Sequence, residues 1–193
     1  VTGIDISEKM INIAKERAKE ENLRSAVTFS VADAQKLPFE GNTFNIIISE
    51  GTTVLMDVEK ALKEYLRVTK LGGYVGLNEL SWRKKPSKEL VEKTFAELGV
   101  KTLEYAEWMG LLTNVGLEEV DSATYEYRNF SWENIKDIGF FTLVKIGLRC
   151  LVDPKMRKWI KRQEKLFGEY SEYWGYGLYV GRKLGHPNGQ IAV

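Results

Sequence analysis

The sequence predicts an open α/β sheet, and three observations predict it. Over the first 80 residues, β-rich runs and segments of helical periodicity follow in the order β-α-β-β-α-β. The opening pair of runs, ending near Ile6 and at Val31, is joined by a helix, so these two strands should lie parallel. Several runs end in acidic or polar residues, and an open sheet of this kind binds its ligand just past the carboxyl ends of its strands.

Composition sets the bounds. The 193 residues fit one domain, and a 44% hydrophobic content supplies a real core. With 28 basic against 27 acidic side chains, the net charge of +1 gives no broad basic face, which argues against nucleic acid as a partner. No signal peptide and no apolar window of about 18 residues is visible, so the reading is a cytoplasmic protein with no membrane span. Cys150 is the only cysteine, which excludes an internal disulfide and a multi-cysteine zinc site. His186 has no Cys or His partner nearby in sequence, so no metal site is expected.

Val1–Ile6 reads as the end of a buried strand, with Ser7 as the N-cap of a helix running from about Glu8 to Asn22. Met10, Ile11, Ala14 and Ala18 form its inward face. Ala26–Val31 is the next strand, followed by an acidic turn at Asp33 and the segment Leu37-Pro38-Phe39. Phe44–Ile48 is a third strand, ending at the pair Ser49-Glu50. Asp57 caps the clearest amphipathic helix, with Val58, Ala61, Leu62, Tyr65, Leu66 and Thr69 on one face; Gly72-Gly73 is expected to end it, and Tyr74–Leu80 returns as a strand.

Two shorter helices follow, Lys88–Leu98 closed by Gly99 and Leu103–Val115 closed by Gly116, then a strand over Leu117–Tyr127. A helical insertion over residues 131–170 comes before the last strand. Ser131 caps its first helix, with Phe130 and Ile135 as a hydrophobic staple; Ile138–Val152 is strongly apolar; Asp153-Pro154 opens a basic helix that runs to Gly168. Tyr176–Arg182 is the closing strand. Trp82, Trp108, Trp132 and Trp174 are as well suited to the core as to lining a pocket.

Asp5 at a strand tip can accept both hydroxyl hydrogens of a ribose, or serve only in a helix-entry turn. Asp33, on the neighbouring strand, shares that edge, or acts only as a turn former.

Three stretches carry a specific resemblance: GIDIS before a helix starting E-K-M, VADAQKLPFEGNTFNIIISE, and YLRVTKLGGYVGLNE. Together they resemble the class I S-adenosylmethionine (SAM)-dependent methyltransferases, with Asn45 where that family usually has Asp. The resemblance implies a Rossmann-like sheet, mostly parallel with an antiparallel last strand and helices on both faces. It implies SAM as cofactor, with Asp5 on the ribose, Ile6 against the adenine, Asp33 on the adenine amino group, the Ala34 backbone on a ring nitrogen, and Ser49 and Glu50 near the methionine part. The partner implied is a small, partly hydrophobic methyl acceptor, methylated on O, N or C. A lone cysteine speaks against cysteine-relay chemistry such as arsenic methylation. No catalytic residue is singled out, because the sulfonium electrophile is already activated and alignment can supply much of the rate.

The family's first strand and glycine-rich loop should lie about 20 residues before the ribose carboxylate, yet only Val1 to Ile4 precede Asp5. The expectation is a single methyltransferase domain over 1–193, incomplete at its amino end, as a piece of a longer chain. Its exposed sheet flanks offer a route to oligomers. Two other readings stay open: a non-catalytic partner subunit of the same fold, and an NAD-type dehydrogenase domain.

Overall fold

The computed structural model describes residues 1–126 and 152–185. The expected cap at Ser131, its staple, most of the apolar run, Trp132 and the His186 tail lie outside the described residues.

Strands β1 (Thr2–Asp5) and β2 (Thr28–Val31) pair in parallel through helix α1 (Glu8–Glu20), with Thr2 opposite Thr28 and Asp5 opposite Val31. A second sheet holds β3 (Phe44–Glu50), β4 (Thr69–Trp82), β5 (Leu103–Glu104), β6 (Glu118–Glu126) and β7 (Trp174–Arg182). Its order is β3-β4-β7-β6, with β5 on the far end of β4. β3 and β5 run parallel to β4, whereas β7 is antiparallel to both β4 and β6. The antiparallel last strand is as expected. Among the described residues no ladder joins the two sheets.

The helix starts follow their caps. Ser7 Oγ accepts from the Met10 N–H at 3.4 Å, and Asp57 Oδ1 from Lys60 at 3.2 Å to open α2 (Val58–Val68). Ser87 Oγ accepts from Leu90 at 3.2 Å to open α3 (Lys88–Leu98), and Asp153 Oδ1 from Lys155 and Met156 to open α5 (Pro154–Glu169). α4 (Tyr105–Asn114) starts two residues later than the periodicity predicts, because Leu103 and Glu104 are drawn onto the edge of β4 as β5.

The main core sits between α2, α4 and the second sheet, where Ala61, Leu62, Tyr65, Val75, Leu77, Trp108, Leu112 and Tyr179 are buried together. A satellite core joins Trp82, Leu90, Leu166 and Trp174, the two indoles stacked with ring centroids 4.3 Å apart. Trp82, Trp108 and Trp174 are therefore core residues. Met10, expected on the inward face of α1, is half exposed, since Ile11 and Ala18 alone fill the narrow stripe that β1 and β2 cover.

A second correction concerns Gly72-Gly73. α2 ends at Val68 with Thr69 already extended, and the two glycines form an irregularity inside β4. Phe44 pairs with Thr69 but Ile46 with Tyr74, so the intervening residues are looped out of register. Gly72 takes φ 78°, and a Cβ on Gly73 would lie 2.5 Å from the Asn45 carbonyl oxygen. Gly73→Ala should consequently cost at least about 1–3 kcal/mol as an overpacking change. Gly110→Ala, in the interior of α4 with open space around it, should stabilise by roughly 0.5–1 kcal/mol. Urea unfolding of the two variants checks the opposite signs.

Candidate active site

Parallel pairing brings the carboxyl ends of β1 and β2 together: the Ala32 N–H donates to the Asp5 carbonyl at 3.0 Å, and Asp33 follows directly. A cavity of about 850 Å³ opens between the two sheets. Asp5, Ile6, Asp33, Ala34, Ser49 and Glu50, the six residues singled out from sequence, all line it. Every residue from Val1 to Ile6 and from Ile46 to Glu50 contributes to the wall. Side chains alternate across a strand, so consecutive lining residues mean that the strand edges, not their faces, border the cavity. Its polar end carries Asp5, Asp33, Gln35, Glu50 and Thr52; its apolar flank carries Ile46, Ile48, Leu55 and Met56.

Each carboxylate is half committed locally. Asp5 Oδ1 accepts from the Ser7 N–H at 2.7 Å, fixing the entry to α1 and leaving Oδ2 with no partner among the described residues. Asp33 Oδ1 accepts from the Gln35 backbone at 2.8 Å in an Asx-type turn, while Oδ2 meets only the Gln35 amide nitrogen at 3.5 Å. In each carboxylate one oxygen is thus engaged in a local turn and the other is left available. The available oxygens are hydrogen-bond acceptors, and Ile6, which is 72% exposed, borders the same cavity.

The segment over this edge is clamped from α2. Arg67 donates to the carbonyls of Leu37 at 3.0 Å and Phe39 at 2.7 Å, and Glu64 Oε2 accepts from the Leu37 N–H at 2.7 Å. The same pair bonds to itself, Arg67 Nε to Glu64 Oε1 at 2.6 Å. Sequence reading missed this clamp; its signal is an acid and an arginine three apart on the polar side of α2. The Arg67 hydrogen bond holds the Glu64 carboxyl below its ordinary value.

Sequence reading also missed Glu79. Val75, Leu77, Glu79 and Ser81 alternate inward along β4, and all four are buried. Glu79 Oε1 accepts from the Thr53 N–H at 2.9 Å and from Ser49 Oγ at 3.4 Å, and Oε2 is buried without a partner. Ser49 Oγ lies 2.9 Å from Thr52 Oγ1 and 2.7 Å from Thr53 Oγ1. Burial pushes the Glu79 carboxyl above its ordinary value, outweighing the Thr53 bonds. Ser49 therefore turns its hydroxyl toward this buried knot while still bordering the cavity. Among the described residues no cluster of His, Cys, Asp and Glu suits a metal ion, and no helix is long and apolar enough to cross a membrane.

Comparison with known proteins agrees with this arrangement. Residues 1–77 match the family model described as Methyltransferase domain. The chain is 36% identical over 100 residues to the ubiquinone/menaquinone biosynthesis C-methyltransferase of Saccharophagus degradans, over 51% of this chain and 39% of that protein. Among solved structures, the cyclase SpnF superposes with a TM-score of 0.75 at 24% identity, covering 96% of this chain and 66% of that one. Geranyl diphosphate methyltransferase in complex with SAM superposes with a TM-score of 0.63 at 17% identity, covering 95% and 68%. Its fold is that of SAM-dependent methyltransferase structures, and its first 77 residues are similar to a methyltransferase domain. It spans less than half the length of the quinone methyltransferases that it matches.

The two glutamates give opposite pH dependences. Glu64 is depressed, so its contribution to stability is present above its ordinary 4.5 and is lost as pH falls through its lower folded value. Glu79 is raised, so the native state holds a proton that the unfolded state has released, and stability declines as pH rises from 4.5 through the higher folded value. Unfolding midpoints measured across this range should show Glu79→Gln abolishing the decline on the alkaline side and Arg67→Lys weakening the acid limb, since lysine lacks the planar fork that engages two carbonyls and a carboxylate at once.

Proposed function

We propose that the protein transfers a methyl group from SAM to a small, partly apolar acceptor. The observation that carries this reading is the pair of half-committed carboxylates, Asp5 and Asp33, that parallel pairing sets at adjacent strand ends. In this reading Asp5 Oδ2 takes the ribose hydroxyls, Asp33 Oδ2 the adenine amino group and the Ala34 backbone a ring nitrogen, with Ser49 and Glu50 bordering the methionine part. Bound SAM supplies an activated methyl on a sulfonium, so the chain's task is to align the acceptor and exclude water.

The names of the matched relatives favour a quinone-type ring as acceptor. They include ubiquinone/menaquinone C-methyltransferases and demethylmenaquinone methyltransferases. Ile46, Ile48, Leu55 and Met56 suit an aromatic ring bearing an apolar tail. A cytoplasmic location and a pairing of copies through the open sheet edges belong to the same proposal.

The test is transfer of label from methyl-labelled SAM to a short-chain demethylmenaquinol by the full-length protein that carries this sequence. Labelled product is expected, with Asp33→Ala reducing turnover at limiting SAM by tenfold or more, equivalent to about 1.4 kcal/mol. Label reaching amines or alcohols but not the quinol would reject the quinone ring as acceptor.

A further inference from the structure

Glu79 poses a problem that its neighbours do not solve. A buried carboxyl with one oxygen unpartnered is costly unless the site uses it, and among the described residues no other element neutralises it. Tyr65 comes toward the knot from α2, 3.5 Å from Thr53 Oγ1; Tyr179 comes from β7, 2.7 Å from Ser81 Oγ. Tyr105 stands behind Tyr179 on α4, and both phenols are pushed up by burial, hence neutral. From β3 comes Glu50, exposed on the cavity wall. Among the described residues Glu79 makes no salt bridge.

The unsatisfied group is not isolated from the cavity. Thr52 is exposed and lines it; Ser49 Oγ lies 2.9 Å further in; Glu79 Oε1 lies 3.4 Å beyond Ser49. Two hydroxyls in series, each able to accept one proton while donating another, connect cavity and carboxyl.

We propose that Glu79 is the proton store of this site, filled and emptied through Ser49 and Thr52. The inference rests on the methyltransferase reading above. Glu79 touches no ligand; it positions Ser49 and the Thr53 backbone, and it exchanges protons through the hydroxyls. The cycle balances. In the resting protein burial favours the protonated form of Glu79. A sulfonium cation in the cavity favours the carboxylate, and one proton leaves to solvent. On transfer, the S–CH3 bond breaks with its electron pair staying on sulfur, and the new bond forms from an electron pair on the acceptor atom. The proton that the acceptor atom loses passes to the hydroxyls, and the Ser49 proton passes to Glu79 Oε1. Glu79 is again a carboxylic acid beside an uncharged thioether product.

SAM and S-adenosylhomocysteine differ by this one methyl and its positive charge, so they are the probes. Calorimetric titration of the full-length protein in buffers of different ionisation enthalpy counts the protons released by each. SAM should release close to one proton more than S-adenosylhomocysteine. Glu79→Gln, which keeps an oxygen for the Thr53 N–H, should abolish that difference. Should Glu79→Gln fail to fold, Glu79→Met, which removes the carboxyl with little change in volume, should abolish the difference as well. Equal proton counts for the two ligands, or a difference that survives both variants, would overturn the proton store. Failure of the wild-type protein to bind either ligand would instead overturn the methyltransferase reading on which it stands.

Discussion

Parallel strand pairing decides where this protein can do chemistry. Because β1 and β2 run the same way, their turns emerge on one edge, and Asp5 and Asp33 stand on adjacent strand ends with no long-range design needed to unite them. The β3–β4 pair does the same for Glu50, opposite Asn78, and for the turn that Glu79 holds. The cavity joins the two sets because its walls are the unpaired edges of β1 and β3. What distinguishes the site is therefore a backbone ladder first and side chains second.

The positions of those side chains are fixed from behind by polar groups on α2 and β4. Arg67 and Glu64 hold the backbone of Leu37 and Phe39 over the polar end, and Glu79 holds Thr53 beyond β3. The Arg67–Glu64 clamp does so with charged groups, interactions stronger than neutral hydrogen bonds. The aromatic clusters contribute differently. Trp82 and Trp174 tie β4 to β7 away from the cavity, and Trp108 against Tyr179 closes the core under α4. These aromatic residues make the scaffold stiff and leave the adaptable surface to the isoleucine flank.

Much of this was legible in the sequence because local chemistry dictated it. Ser7, Asp57, Ser87 and Asp153 each cap the helix that follows, through a side-chain oxygen that accepts from a first-turn N–H that no helical carbonyl would otherwise satisfy. Gly99 and Gly116 take positive φ where a helix must stop. The reading failed where tertiary pairing overrode local signals: Gly72-Gly73 looks like a helix stop and is a strand irregularity, and Leu103-Glu104 looks helical and is captured by β4. Glu79 was missed because a glutamate in a strand suggests a solvent face. Strict alternation from Val75 and Leu77 was the signal that placed it inside. Of the six cavity residues, Asp5 and Asp33 stand on neighbouring strand ends by β-α-β connectivity, whereas Ile6 and Ala34 were singled out by the family resemblance and Ser49 and Glu50 by that resemblance together with the end of β3.

The most direct measurement is calorimetric titration of S-adenosylhomocysteine and, separately, of NADH into the full-length protein and its Asp5→Ala and Asp33→Ala forms. The account predicts that S-adenosylhomocysteine binds and NADH does not, with each substitution weakening binding by tenfold or more. Binding of NADH instead, or binding of S-adenosylhomocysteine that neither substitution affects, would contradict it.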